Sequence, residues 1–106
     1  MKIITYNIWG LGRGLKWGPV KKLVVNEQVD MLCLQETKKE MLDRTMCQAL
    51  WGNSEVKWAA NPAVNSAGGI LCIWSESSFE LEKEVIGSRF ILLEGIWKDD
   101  GQKSQL

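Results

Sequence analysis

The chain has 106 residues, 45% of them hydrophobic and 25% charged, so its length and composition allow one globular domain and no second. No apolar run approaches the roughly 20 residues that cross a bilayer, and no signal peptide is visible, so we expect an intracellular, soluble protein without membrane contact. Thirteen basic residues balance thirteen acidic ones, and the sequence contains no histidine, the side chain best suited to acid–base catalysis near neutral pH.

The first third of the chain predicts a βαβ unit. A strand over 2–7 is followed by a loop with three glycines, and Gly18-Pro19 then favours a helix over 19–28 with proline at its first position. The continuous apolar run within 30–36 is typical of a strand buried on both faces. Two strands joined by a helix in this way are expected to be parallel, with a right-handed crossover.

A second helix is predicted over 38–51. Thr37 and Glu40 have the spacing of a capping box, in which the two side chains satisfy backbone donors at a helix start. Apolar residues then recur at helical spacing as far as Gly52, which favours a carboxyl-terminal stop.

Four antiparallel strands are predicted after this helix. They lie over 56–60, 69–74, 79–86 and 90–97. Gly87-Ser88 predicts a two-residue type II′ turn between the last two strands, because glycine stands where that turn requires a positive φ.

The carboxyl end predicts one further hairpin. Asp100-Gly101 is a strong turn signal, and 102–106 would begin a return strand. Because so few residues follow the turn, we interpret residues 1–106 as one partial domain, truncated at the carboxyl end. A frayed tail after a complete sheet is the alternative.

Two polar residues stand where ligands gather in an open α/β sheet, beyond the carboxyl ends of parallel strands. Asn7 ends the first strand and Glu36 ends the second. An amide oxygen beside a carboxylate suits a hard cation such as Mg²⁺. Two other interpretations stay open from the residues alone: Asn7 as a turn residue, and Glu36 as a charge that favours a helix start.

The remaining candidates have structural alternatives. Trp9 and Trp17 are predicted to pack, although either would stack on a base. The basic residues near the amino terminus would face phosphate or simply solvent; they are Arg13, Lys16, Lys21 and Lys22. Dinucleotide binding is disfavoured because Leu15 replaces the third glycine of that fingerprint.

The three cysteines are an odd number at wide spacing, and two of them lie within apolar runs. They are Cys33, Cys47 and Cys72. We therefore expect core thiols, with neither a disulfide nor a zinc site.

Three segments together resemble the endonuclease/exonuclease/phosphatase superfamily, and most of all the endonuclease domains of plant LINE-type retrotransposons. The first begins Lys2-Ile-Ile-Thr-Tyr-Asn-Ile-Trp-Gly-Leu-Gly. The second is Asp30-Met-Leu-Cys-Leu-Gln-Glu-Thr-Lys, and the third is Gly68-Gly-Ile-Leu-Cys-Ile-Trp. Trp58-Ala-Ala-Asn-Pro also looks like the plant version. The resemblance covers essentially the whole chain.

The resemblance implies the amino-terminal half of a four-layered α/β sandwich that hydrolyses phosphodiesters with Mg²⁺ and nicks DNA, with nuclear localisation. By matching motifs, Asn7 would contact the scissile phosphate or the water on the metal, and Glu36 would ligate the metal. Gln35 would contact substrate or support that edge as a neighbouring partner.

The family's later motifs are absent from this sequence: a tyrosine after the middle strands, an Asp-x-Asn, and a final Asp-His pair. Without them, hydrolysis by this chain alone is expected to be negligible. Half of a sandwich is also expected to leave the strands Ile70–Trp74 and Phe90–Leu93 without a covering layer. The alternative function is a binding or interaction domain without catalysis, which predicts a cooperatively folded chain.

Overall fold

A computed structural model describes residues 2–11, 17–52, 55–65, 67–98 and 103–105 of the chain. Within these ranges the elements run in the order β1 (Ile3–Asn7), α1 (Trp17–Glu27), β2 (Met31–Gln35), α2 (Arg44–Trp51), β3 (Val56–Asn61), β4 (Ile70–Ser75), β5 (Phe79–Ile86), β6 (Ile91–Trp97) and β7 (Lys103–Gln105). The predicted α/β fold class is confirmed. Neither of these helices is long and apolar enough to cross a membrane.

The first sheet has the strand order β1-β2-β4-β3. β1 and β2 are parallel, in a register that runs from Ile3 opposite Met31 to Asn7 opposite Gln35. β4 is antiparallel to both β2 and β3. The predicted parallel strand pair of the βαβ unit is confirmed, and β2 is central because its apolar run can be buried on both faces.

Helices α1 and α2 cover one face of this sheet. Val20 and Val24 of α1 are buried with Leu50 of α2 in a cluster that includes Leu32 of β2 and Leu71 of β4. Residues four apart on a helix share one face, which is why the Val20 and Val24 pair points at the sheet. The helix layer therefore binds the sheet through alternate residues of the two central strands.

The element boundaries differ little from the predicted ones, except at α2. The strand bounds shift by no more than one residue at either end, whereas α1 begins at Trp17. Pro19 then lies in the first turn of α1, where its missing N–H has no helical partner. The predicted stop at Gly52 is confirmed, since its φ is 88° and its N–H donates to the Gln48 carbonyl at 2.7 Å.

The predicted capping box at Thr37 and Glu40 is wrong. α2 begins at Arg44, and the Asp43 carboxylate caps it by accepting the N–H of Met46 at 2.9 Å. Thr37 is fully buried, and its backbone N–H and C=O bond to loops on either side, so it cannot enter a helix. Hydrogen bonds from Thr37 to distant segments therefore prevent the helix start that the local sequence pattern predicts.

The second sheet has the order β5-β6-β7, with both pairs antiparallel. The predicted return strand is confirmed as β7, while its turn at Asp100-Gly101 lies outside the described residues. The predicted type II′ turn at Gly87-Ser88 is wrong: the φ of Gly87 is not in the positive range, and its N–H donates to the Phe90 carbonyl at 3.0 Å. The turn is therefore centred one residue later, on Ser88 and Arg89.

The two sheets pack face to face around three aromatic side chains. Trp74 of β4, Phe79 of β5 and Trp97 of β6 are each no more than 2% exposed. The Phe79 ring meets Trp74 edge-on, with centroids 5.8 Å apart, and lies 4.7 Å from Trp97. Gly95 of β6 leaves room for this packing, because a Cβ there would crowd the Phe79 ring.

This packing corrects the expectation of an uncovered β4. Helices cover the face that carries Leu71 and Ile73, and the second sheet covers the face that carries Cys72 and Trp74. The described residues thus form three layers, in the order helices, first sheet, second sheet. Phe90 alone among the residues of its predicted run is mainly exposed, at 50%.

We predict that Asp43→Ala lowers the free energy of unfolding by about 1 kcal/mol, because the orphan N–H of Met46 loses its acceptor. Glu40→Ala should change it by less than about 0.5 kcal/mol, since Glu40 is exposed and outside the helix. Urea unfolding of the two variants measures both values. A larger loss for Glu40→Ala than for Asp43→Ala would place the helix start at the capping box after all.

Candidate functional site

Three chain segments meet beyond the carboxyl end of β2, joined by backbone hydrogen bonds. The Ile8 N–H donates to the Gln35 carbonyl at 3.0 Å, and the Gly10 N–H donates to the Glu36 carbonyl at 2.7 Å. On the other side, the Lys38 N–H donates to the Gly68 carbonyl at 2.7 Å. Asn7 and Glu36 therefore share one edge of the first sheet, as the strand order predicted.

Thr37 is the centre of this junction. Its N–H donates to the Gly69 carbonyl at 3.1 Å, and its carbonyl accepts the Leu11 N–H at 2.9 Å. Its hydroxyl accepts the Lys39 N–H at 3.4 Å. The sequence interpretation missed this role, because a threonine followed by a glutamate at capping-box spacing gives no local sign of burial.

Residues in the left-handed backbone region surround Thr37. Glu36 has a φ of 57° and Lys38 a φ of 55°, and Trp9 in the neighbouring loop has a φ of 52°. This region is uncommon for residues other than glycine and is concentrated at turns and functional sites. Thr37 lies buried between the two left-handed residues, while the Glu36 side chain remains partly exposed.

A cleft of ≈ 810 Å³ opens at the same edge of the molecule. Gln35 and Glu36 form one rim, and Ser88 and Arg89 of the β5–β6 turn form the other. The loop between β3 and β4 lines the space between them. The two rims belong to different sheets.

Asn61, the last residue of β3, connects the two rims. Its side-chain amide donates to the Gly87 carbonyl at 2.8 Å and to the Phe90 carbonyl at 3.2 Å. The amide thereby holds both ends of the β5–β6 turn against the first sheet. Asn61-Pro62 belongs to a segment that resembles the plant retrotransposon domains. In the structure, Asn61 positions the β5–β6 turn.

Glu36 and Arg89 are the only charged residues among those that line the cleft in the described part of the chain. A carboxylate is a ligand for a hard cation, and a guanidinium is suited to paired contacts with phosphate oxygens. Arg89 was not among the candidates from the sequence, where the turn was predicted at Gly87-Ser88. The sign in the sequence that could have identified Arg89 was a basic residue within a turn.

Asn7 occupies a different position from Glu36. It is exposed and does not line the cleft, and its side-chain oxygen accepts the Trp9 N–H at 3.2 Å. This geometry is that of an Asx turn. Gln35 lines the cleft with an exposed side chain. The roles of Asn7 and Gln35 toward a metal or a substrate stay predictions.

The cleft offers a cation one carboxylate and one side-chain amide beside it in sequence. No group of three or more His, Cys, Asp or Glu side chains within the described ranges could hold a metal. Mg²⁺ nevertheless often takes only one or two carboxylates, with waters and phosphate oxygens completing its shell. Glu36 provides one such carboxylate, and Gln35 adds an amide beside it.

The other basic and aromatic candidates lie in different parts of the molecule. Lys21 and Lys22 are exposed on α1, in the helix layer, and the other two basic candidates lie outside the described residues. Trp17 packs against the helix-side core. Trp9 is 67% exposed, with the Lys38 ammonium 5.5 Å from its ring centroid, so only this pair offers a stacking surface near the cleft among these candidates.

Comparison with solved structures relates this architecture to known proteins. An AP endonuclease from Leishmania major is 20% identical with a TM-score of 0.63, and the match covers 97% of this chain and 38% of that one. An endonuclease/exonuclease/phosphatase family protein from Bacteroides thetaiotaomicron is 11% identical with a TM-score of 0.65, covering 97% and 47%. TDP2 from D. rerio, complexed with a single-strand DNA product, is 17% identical with a TM-score of 0.59, covering 97% and 42%.

The chain has the endonuclease/exonuclease/phosphatase fold. It spans less than half of the length of each of these three structures. At such low identity the likeness establishes the fold alone. No protein-family model matches the sequence, and neither does any curated protein.

We predict that Gly69→Ala destabilises the chain more than Gly68→Ala. Both glycines have positive φ values, 99° and 74°, at which alanine costs about 1–2 kcal/mol. A Cβ at Gly69 would also overlap the Thr37 hydroxyl, whereas nothing lies within 4 Å of a Cβ at Gly68. Chemical denaturation compares the two variants. Equal losses would show that Thr37 is not held as tightly as its contacts indicate.

Proposed function

We propose that this chain supplies the Glu36 part of a Mg²⁺-dependent phosphodiesterase site, of the retrotransposon endonuclease type, and that it acts on DNA in the nucleus as part of a longer domain. The observation that carries the proposal is that Glu36 and Arg89 both line one cleft at the end of β2. The likeness of the chain's fold to that of an AP endonuclease supports the proposal.

DNA is the proposed substrate on three grounds. A protein of the same fold has been solved with a single-strand DNA product. Arg89 offers a guanidinium for a phosphodiester oxygen. Trp9 and Lys38 add an exposed ring and a cation on the loops that adjoin Glu36, which suits a base and its phosphate.

Each rim of the cleft has a separate part in this proposal. Glu36 holds the cation by its carboxylate, and Gln35 donates its amide hydrogens to a phosphate oxygen or to water. Arg89 binds the phosphodiester from the opposite rim and orients it toward Glu36. When bound, Mg²⁺ would stabilise the negative charge that develops on the phosphoryl oxygens.

We further propose that the chain alone does not complete hydrolysis. The attacking water must lose a proton, and the sequence has no histidine to accept it. Glu36 cannot serve as that base while it holds the cation. The groups that complete the site would have to come from outside the residues described here.

A non-catalytic binding domain is the second candidate. The burial of Trp74, Phe79 and Trp97 between the sheets supports it, because such a core favours a chain that folds cooperatively by itself. On this alternative the cleft binds a phosphodiester through Arg89 and the metal has no catalytic part.

We predict that Mg²⁺ shifts the amide resonances of Gly10, Gly69 and Glu36 at millimolar concentrations, and that Glu36→Gln weakens this binding by about tenfold or more. Glu40→Gln is the matched control, since Glu40 is an exposed acidic residue that does not line the cleft. Supercoiled plasmid incubated with the chain and Mg²⁺ should stay intact. Nicking that copurifies with the protein and disappears in Glu36→Gln would contradict the proposed inactivity.

We predict that Arg89→Ala weakens binding to a duplex oligonucleotide and lowers the slope of log Kobs against log salt by about 1, the value for one lost phosphate contact. Arg44→Ala is the control, because the Arg44 guanidinium lies 5.3 Å from the Trp58 ring centroid and does not line the cleft. Fluorescence anisotropy across a salt series gives both slopes. Equal slopes for the two variants would remove Arg89 from the proposed site.

A further inference from the structure

Two of the three cysteines face each other across the first sheet. In the antiparallel register of β2 and β4, Cys33 lies directly opposite Cys72. Their neighbours Leu32 and Leu34 point toward the helix layer, so the two thiols lie together on the other face, between the sheets. The two cysteines are 39 positions apart in sequence. Their spacing along the chain therefore could not predict that they are neighbours.

The register brings the backbones of this pair within the range that a disulfide can span. Residues directly opposite in antiparallel strands have Cα atoms about 4.5 or 5.5 Å apart, depending on the type of pair. Disulfides span Cα separations of about 4.4–6.8 Å. Both Cα separations fall within this range, so the register itself is compatible with a bond.

We propose that Cys33 and Cys72 form an oxidisable dithiol, which closes to a cross-strand disulfide between β2 and β4 when the chain meets hydrogen peroxide. Both thiols are free in the structure, so the described state is the reduced one. The proposal is independent of the phosphodiesterase function.

The two thiols have different chemical characters. Hydrogen bonding between the neighbouring thiols lowers the pKa of Cys33 and raises the pKa of Cys72, which burial raises further. Cys33 is also partly exposed, while Cys72 is buried. Cys33 is therefore the thiolate that reacts first, and Cys72 is the resolving thiol.

The reaction balances with peroxide as the only oxidant. The Cys33 thiolate attacks one peroxide oxygen, the O–O bond breaks, and the products are a sulfenic acid at Cys33 and hydroxide, which takes up a proton to become water. The Cys72 sulfur then attacks the Cys33 sulfur, the S–O bond breaks, and a second water leaves as the S–S bond forms. Two thiols and one peroxide give one disulfide and two waters.

Cys47 provides an internal control. It is fully buried in the helix-side cluster, and burial, with the nearby Asp43 carboxylate adding to the effect, raises its pKa to about 12. A thiol with such a pKa is almost entirely protonated at neutral pH and reacts slowly. The same chain therefore holds one inert cysteine and one reactive pair.

The test uses the full chain under native conditions. The protein is treated with hydrogen peroxide, remaining thiols are alkylated after denaturation, and intact mass and peptide maps are recorded. We expect the loss of two hydrogen atoms, a peptide that links Cys33 to Cys72, and alkylation at Cys47 alone. Cys47→Ser should form the same bridge, because Cys47 takes no part in it.

Two further variants separate the roles of the pair. Cys72→Ala should accumulate a sulfenic acid at Cys33 that dimedone traps, whereas Cys33→Ala should give neither the bridge nor the trapped adduct. Alkylation of all three cysteines in peroxide-treated wild-type protein would overturn the proposal, and so would a bridge that includes Cys47. Both of these results come from chains that keep Cys33 and Cys72, so they do not depend on the folding of the alanine variants.

Discussion

The packing of Trp74, Phe79 and Trp97 between the two sheets is the interaction on which the rest of the molecule depends. Three aromatic side chains of this size bury about 150–250 Å² each, so their contact contributes strongly to the cohesion between the sheets. It determines where the second sheet lies and therefore where the β5–β6 turn meets the first sheet. The cleft is lined both by residues of this turn and by residues at the end of β2.

The two rims of the cleft are held in different ways. Glu36 is positioned by backbone hydrogen bonds to the β1 loop and, through Thr37, to the loop before β4. Arg89 is positioned indirectly. The Asn61 amide donates to the carbonyls of the residues on either side of the turn that carries Arg89. Neither arrangement uses an ion pair among the contacts described, so the two charged groups remain available to a ligand of the opposite charge.

Much of the fold could be predicted from the sequence because its elements have strong local patterns. The apolar run of β2 and the glycine after α2 each depend on nearby residues only. The start of α2 could not be predicted, since long-range hydrogen bonds hold Thr37 away from a helix. Glu36 was placed correctly at its sheet edge, whereas Arg89 and the Cys33–Cys72 pair required the strand register and the packing of the sheets.

The positive φ of Glu36 affects which residue types are favourable at position 36. A φ of 57° costs a side chain such as glutamate about 1–2 kcal/mol that glycine would avoid. Folding alone would therefore favour glycine at position 36, and Lys38 is in the same situation. The backbone hydrogen bonds of the junction offset this cost, and strained positions of this kind are concentrated at functional sites.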